Sequence, residues 1–363
     1  MRIAFFNWRD IKNPMAGGAE VLNHQILKHL GNQGHKITMF TSSFPGCSER
    51  EVIDNIEHIR YGGKFLIYPK AYFCYQKYIE GNYDVIVESI NGVPFFTQLF
   101  AKENVISLVH QLTRENWYSG IALPFAFIGY HAEDAMLGLY RKNPTIVPSK
   151  STKTDLEKLG FKNVTIIHGA ADIALPKEII KEKNPTVIYL GRLTKSKRVD
   201  HVLRAFMIIK ASLKDPQLWI VGSGPQEKKL IKLANELGIT DSTKFFGKVS
   251  QEKKAELFSR SHIKLFPAVR EGWGLVVLEA NACGTPVIGY NVKGLCDSIQ
   301  ENVNGVLVND GDIQSMAKCT IELLKNYEKL NQLSMSSLDY SKRFSWEKSA
   351  QKFIDFLGAV CNE

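Results

Sequence analysis

Arg2-Ile3-Ala4-Phe5-Phe6-Asn7-Trp8 reads as a buried strand, Asn13-Pro14-Met15-Ala16-Gly17-Gly18 as a loop, and Ala19 to Gln33 as a helix with Val21, Leu22, Ile26, Leu27 and Leu30 on one side. Gly34 ends that helix, and Lys36 to Thr41 is a second strand. Strand, glycine loop, helix, strand is the opening unit of a doubly wound sheet. The rhythm continues outward. Short apolar strands are predicted at Asp84–Val87, Val105–Val109, Thr145–Val147 and Val164–Ile167, with helices around 93–102, 123–140 and 151–159. Such alternation implies a mostly parallel sheet covered on both faces.

Residues 170–185 break the pattern with a polar stretch carrying Pro176 and Pro185. A second series then begins: strands at 186–190, 217–221, 243–246, 262–266 and 286–289, helices at about 199–213, 225–237 and 251–259 and from about 275, 312 and 346. The fold class is α/β, with two Rossmann-like domains in tandem. Residues 1–170 form the first, 171–185 a linker and 186–345 the second, while 346–363 is a helix expected to pack back on the first domain. Tandem sheets of this kind are expected to face each other across a cleft.

The 363 residues suit about two domains at roughly 150 residues each. Composition is that of a globular protein, with 44% hydrophobic and 23% charged residues. Six scattered cysteines contain no CxxC pair, which argues against a zinc ribbon and suggests no disulfide framework. The start turns polar too soon for a signal peptide, and no apolar run approaches a membrane span. A cytoplasmic protein is expected, one able to sit peripherally on the cytoplasmic face of a membrane. The net charge of +9 favours anionic partners, and +6 of it falls beyond residue 170.

Three loops of the second domain carry the chemistry. Gly191-Arg192-Leu193-Thr194-Lys195-Ser196-Lys197-Arg198 follows a strand, where open sheets bind ligands. Arg192 offers a planar fork and Lys197 a mobile point charge, a pair suited to a diphosphate; a solvated basic loop is the plainer alternative. Val221-Gly222-Ser223-Gly224-Pro225 frees backbone for a ligand, or merely allows tight packing. Glu271-Gly272-Trp273-Gly274-Leu275-Val276-Val277-Leu278-Glu279 is the sharpest segment. Amides at Gly274 and Leu275 open a helix, where phosphate is stabilised. Glu271 and Glu279 lie up to about 12 Å apart along it, comparable with a nucleotide sugar. Glu271 could reach the sugar and Glu279 the ribose, unless Glu279 pairs with a neighbouring helix. Asp310-Gly311-Asp312 looks like a metal-binding DxD, but Asp312 is better placed as a helix N-cap.

This ordered set resembles the GT-B retaining glycosyltransferases of family 4 (glycosyltransferase group 1), and the resemblance spans essentially the whole chain. It rests on Gly191-Arg192 with Lys197, Gly222-x-Gly224-Pro225, the E-x7-E element, Gly284-Thr285-Pro286-Val287-Ile288 and Asn304-Gly305. Trp273 departs from the usual phenylalanine. The resemblance implies that Arg192 and Lys197 bind the donor diphosphate, that Glu271 contacts the donor sugar, that Glu279 binds ribose, and that the Gly274 and Leu275 amides hold phosphate. Gly17-Gly18 matches the family's first glycine loop; GxGxxG is absent there, which argues against nicotinamide or flavin. Glu20 either contacts the acceptor or caps amides. His110 would orient the sugar, or else merely satisfies the end of its strand, and Gln111 replaces the common aspartate after it.

The implied reaction moves a hexose or N-acetylhexosamine from a UDP- or GDP-sugar to a hydroxyl of a glycan or lipid-linked acceptor. It proceeds with retention, in surface polysaccharide or glycolipid synthesis. No tightly bound cofactor and no metal is needed; the nucleotide sugar is a substrate. Two segments, Lys64-Phe65-Leu66-Ile67-Tyr68-Pro69-Lys70-Ala71-Tyr72-Phe73-Cys74-Tyr75-Gln76-Lys77-Tyr78 and residues 114–128, interleave basic and aromatic residues. They suit an anionic membrane surface, or else face the core. Nucleic acid is not an expected partner. The competing readings are a nucleotide-sugar epimerase or phosphorylase of the same plan, and a non-catalytic nucleotide-sugar-binding protein.

Overall fold

The computed structural model describes residues 1–119, 122–176 and 178–362, so Ile121 of the second aromatic segment lies outside the described residues. The chain forms two compact units: Met1–Trp117, Leu123–Gly169 and Ser345–Glu363 make one, and Tyr118–Ala122 with Ala170–Phe344 the other.

In the first unit the order is β1 (Arg2–Phe6), α1 (Gly18–Asn32), β2 (Lys36–Thr41), β3 (Arg50–Ile53), β4 (Ile56–Arg60), α2 (Gly63–Cys74), β5 (Val85–Ile90), β6 (Asn104–Val109), α3 (Leu123–Gly138), β7 (Thr145–Val147), α4 (Lys150–Lys158) and β8 (Val164–Ile166). The sheet runs β3-β4-β2-β1-β5-β6-β7-β8. Its pairings are parallel except β3 with β4. Ile3, Ala4, Phe5 and Phe6 are all buried because helices cover both faces.

The helix expected around 93–102 does not form; the segment has only a 3₁₀ turn at Thr97–Leu99. The buried carboxylate of Glu88 on β5 captures the amides of Phe95 (2.6 Å) and Thr97 (3.0 Å), and Phe96 turns to φ 59°. These amides are spent on a side chain, so the apolar run wraps Glu88 instead of coiling. The β3–β4 hairpin gave no signal in the alternation used above.

In the second unit the order is β9 (Thr186–Leu190), α5 (Val199–Ser212), β10 (Gln217–Val221), α6 (Glu227–Glu236), β11 (Thr243–Gly247), α7 (Gln251–Arg260), β12 (Ile263–Phe266), α8 (Leu275–Ala282), β13 (Val287–Tyr290), α9 (Leu295–Ser298), β14 (Gly305–Val308), α10 (Ile313–Lys325) and α11 (Tyr327–Ser341). Its sheet runs β11-β10-β9-β12-β13-β14, every pairing parallel. Strand order reverses between β9 and β12, where a crevice opens at the carboxyl ends. Residues 170–185 belong to this unit: Lys181 Nζ donates to Ser261 O, Gly284 O and Thr285 Oγ1 at 2.7, 2.7 and 3.1 Å. The last helix, α12 (Trp346–Asn362), belongs to the first unit and packs on α1. Ser349 Oγ on it donates to His168 O at 2.6 Å.

Candidate functional site

Lys197 and Glu271 come from the loops after β9 and β12, the two strands that flank the reversal. The loops are bound to each other by the Val269 amide donating to Ser196 O at 2.9 Å. The loop after β13 joins them, with Lys293 O accepting from the Glu271 amide at 3.0 Å. This frame brings Lys197 Nζ onto Glu271 Oε1 as an ion pair, each side chain 15% exposed. Arg192 lies on the same loop as Lys197, with an exposed side chain. Its carbonyl accepts from the Tyr189 hydroxyl at 3.0 Å, which fixes the loop from beneath.

The glycines here have packing roles. A Cβ on Gly222, at φ 125°, would lie 2.0 Å from Gly191 O, and one on Gly224 2.4 Å from Leu193 O. Backbone packing between the loops after β9 and β10 therefore accounts for both without a ligand. Gly274, at φ 83°, is the N-cap of α8, and Leu275 is its first residue. The start of this eight-residue helix carries partial positive charge and follows Glu271 directly in the same loop. Trp273 is 4% exposed and meets the Phe344 ring edge-on, so the departure from phenylalanine is absorbed in the core.

Glu279 is not open. It is 5% exposed and pairs with Lys254 of α7 at 2.8 Å, the neighbouring-helix arrangement set against the ribose role above. Burial, outweighing the Lys254 charge, pushes its carboxyl above the usual range. Asp312 caps α10, accepting from the Ser315 amide at 2.9 Å.

Gly17 and Gly18 open α1 in the first unit. Glu20 reaches back to accept from the Gly17 amide at 2.7 Å, and Arg9 Nε donates to it at 3.0 Å. Glu20 thus holds the glycine loop and is 3% exposed. His110, just past β6, is 5% exposed and bonds Ser89 Oγ through Nε2 at 3.1 Å. Asn23 of α1 donates to the same Ser89 oxygen at 3.1 Å. Burial lowers the His110 imidazole to about 4, so it is neutral at physiological pH.

Two residues gave no functional signal in the sequence. Gly294, at φ 83°, lies so close under Glu271 that a Cβ would be 2.0 Å from the Glu271 carbonyl oxygen. Lys264 in β12 is wholly buried beneath the same loops. Neither belongs to a recognisable spacing pattern, because their partners come from other strand ends.

Residues 16–175 match the family described as Glycosyltransferase Family 4, and 172–337 match Glycosyl transferases group 1. N-acetyl-alpha-D-glucosaminyl L-malate synthase of Bacillus anthracis is 27% identical over 87% of this chain and 86% of its own. Sucrose-phosphate synthase from Thermosynechococcus elongatus has a similar fold, with a TM-score of 0.85 at 22% identity over 99% of this chain and 98% of that one. WaaG, a glycosyltransferase involved in lipopolysaccharide biosynthesis, superposes with a TM-score of 0.79 at 17% identity over 98% and 99%. With the two family domains in succession over residues 16–337, the chain belongs to the nucleotide-sugar-dependent glycosyltransferases of the GT-B fold.

Proposed function

We propose that this enzyme transfers a hexose or N-acetylhexosamine from a UDP- or GDP-sugar, with retention at the anomeric carbon, to a hydroxyl of a glycan or lipid-linked acceptor in surface polysaccharide or glycolipid synthesis. The observation that carries the reading is the Lys197–Glu271 pair at the strand reversal of the second sheet, beside exposed Arg192 and the start of α8. Arg192, Lys197 and the Gly274 and Leu275 amides take the diphosphate, whose charge grows as the glycosidic bond breaks. Glu271 holds the sugar. Glu279, already bound through Oε1 to Lys254, offers its other oxygen to the ribose. Gly222 and Gly224 keep the neighbouring loop close. In the first unit, neutral His110, fixed by Ser89, orients sugar hydroxyls, and the Gly17-Gly18 loop receives the diphosphate or acceptor. Attack comes on the face the leaving phosphate departs from, and that phosphate helps to accept the hydroxyl proton.

The test is a panel of UDP- and GDP-sugars with membrane extract as acceptor, read by mass spectrometry. Transfer from one donor is expected. Rearrangement of a donor without acceptor would make the chain an epimerase, and a requirement for phosphate and oligosaccharide a phosphorylase.

A lipid-linked acceptor accords with the open face of α2. Phe65, Leu66, Tyr72 and Phe73 are 72, 57, 43 and 59% exposed and lie on one helical stripe opposite buried Ile67, Ala71 and Cys74. Lys64, Lys70 and Lys77 flank that stripe, and residues 63–79 contain no acid. Past the turn at Phe96–Phe100, α3 of the same unit exposes Leu123, Phe125, Phe127 and Ile128. Trp117 instead packs inward on Gly129. The proposed peripheral seat is therefore an anionic bilayer that receives aromatic rings and lysines together. Phe65→Ser with Phe73→Ser is expected to cut co-sedimentation with vesicles of anionic lipid by about tenfold, leaving activity on a water-soluble acceptor unchanged. Unchanged sedimentation would remove this face from the proposal.

A further inference from the structure

Lys264 stands in mid-sheet on β12, with Ile188 and Val287 as its register partners. The strand reads Ile-Lys-Leu-Phe and all four residues are buried. Lys264 itself is 0% exposed, and its Nζ has no hydrogen-bond partner among the described residues. The ammonium lies 3.8 Å from the centroid of the Phe266 ring and 5.4 Å from that of Tyr189. Two ring faces attract a cation but leave its donors unmet, so a lysine here is costly unless a charge compensates it. The Phe266 ring is shared: Lys197 Nζ lies 5.7 Å from the same centroid. Lys264 is therefore one ring away from the Lys197–Glu271 pair. The charged groups acting on it are Glu271 and Lys197 from the loops and Glu279 from α8, itself held by Lys254 of α7.

The donor-site reading asks two things of Lys197. It pairs with Glu271 in this structure, and a donor diphosphate would draw it away. Glu271, only 15% exposed, would then lose its counter-ion. We propose that Lys264 is a positioning residue: a standby cation that neutralises Glu271 when the donor diphosphate takes Lys197 away. The inference rests on the donor-site reading. Burial lowers the Lys264 ammonium to about 7, so near neutrality it is only partly charged and added negative charge beside it draws the proton on. No covalent step is involved.

The test is a double-mutant cycle on the full chain, titrating UDP and GDP by calorimetry into wild type, Lys264→Met, Glu271→Gln and the double variant, with melting temperatures alongside. Lys264→Met is expected to weaken nucleotide binding about tenfold while the melting temperature holds or rises, because an apolar chain replaces an unpaired buried ammonium. In the Glu271→Gln background the same change is expected to matter less than about twofold, since no carboxylate remains to neutralise. Equal losses in the two backgrounds mean a merely structural lysine and overturn the inference, as does no loss in either. Lys264→Gln runs the same cycle should the methionine variant not fold. Wild type that binds neither nucleotide overturns the donor-site reading and this inference with it; wild-type binding with an unaltered Lys264→Met variant overturns this inference alone.

Discussion

Lys197→Ala lowers donor kcat/KM by about 10²–10³-fold and leaves the fold intact. The magnitude is that of removing one preorganised group from the place where charge develops in the transition state. Lys197 is suited to that place because the 3₁₀ turn at Lys195–Lys197 aims it at the carboxyl end of β9, and the Val269–Ser196 backbone bond keeps the turn there. The side chain is 15% exposed, so its field on a bound diphosphate is screened far less than at the open surface. Its loss should cost little stability, because Lys264, one ring away, is placed to neutralise Glu271 in its stead. Lys197→Arg keeps the charge but replaces a mobile point by a rigid fork, and partial recovery is the expected result. The measurement is initial rate against donor concentration, with circular dichroism and melting temperature as controls. Near-normal kcat/KM in a folded Lys197→Ala protein would remove Lys197 from the diphosphate site and leave its bond to Glu271 a structural ion pair.

How far the site could be read in the sequence depended on whether its parts were local. The loops after β9, β10 and β12 each follow an apolar strand directly, so Lys197, Gly222 and Glu271 were legible as strand-end residues. The neighbours that decide their roles were not. Lys254 lies 25 residues before Glu279, and only folding places α7 against α8 so that the two pair. The Gly222-x-Gly224 turn fits a ligand or tight packing alike in sequence, and only the fold shows Gly191 and Leu193 close enough to forbid side chains there. Lys264 sits in a strand whose burial was clear from Ile263, Leu265 and Phe266, and a single lysine in alternation points as readily to solvent as to a ring pair. The apolar run at 93–102 failed for a related reason. Its helical spacing was genuine, but the competing acceptor, Glu88, lay on β5 and its burial could not be seen locally. Periodicity reports which face is apolar; it does not report which distant carboxylate will take the amides.

Gly294→Ala lowers activity by about 100-fold, the cost of displacing a substrate-positioning group by an ångström or so. Two effects act at Gly294. Its φ of 83° with ψ −42° lies outside the regions open to a residue with a Cβ and strains one by about 1–3 kcal/mol. The second is contact: the added carbon would lie 2.0 Å from the Glu271 carbonyl oxygen and 2.5 Å from its carbonyl carbon, where Cβ atoms essentially never come within 3.0 Å. One backbone must retreat by an ångström, and the Glu271 amide is bonded to Lys293 O, the residue just before Gly294, so the two segments cannot separate without loosening that bond. Gly311→Ala separates the two effects. Gly311 has φ 81°, also in the positive range that disfavours a side chain, but nothing lies within 4 Å of the added carbon. Both variants should therefore lose stability from a positive φ, while Gly294→Ala alone loses transfer activity and shows the larger drop in melting temperature. If the two variants retain equal activity, the backbone of Glu271 does not set the rate, and the carboxylate works, if at all, without the rigid three-loop frame that holds it.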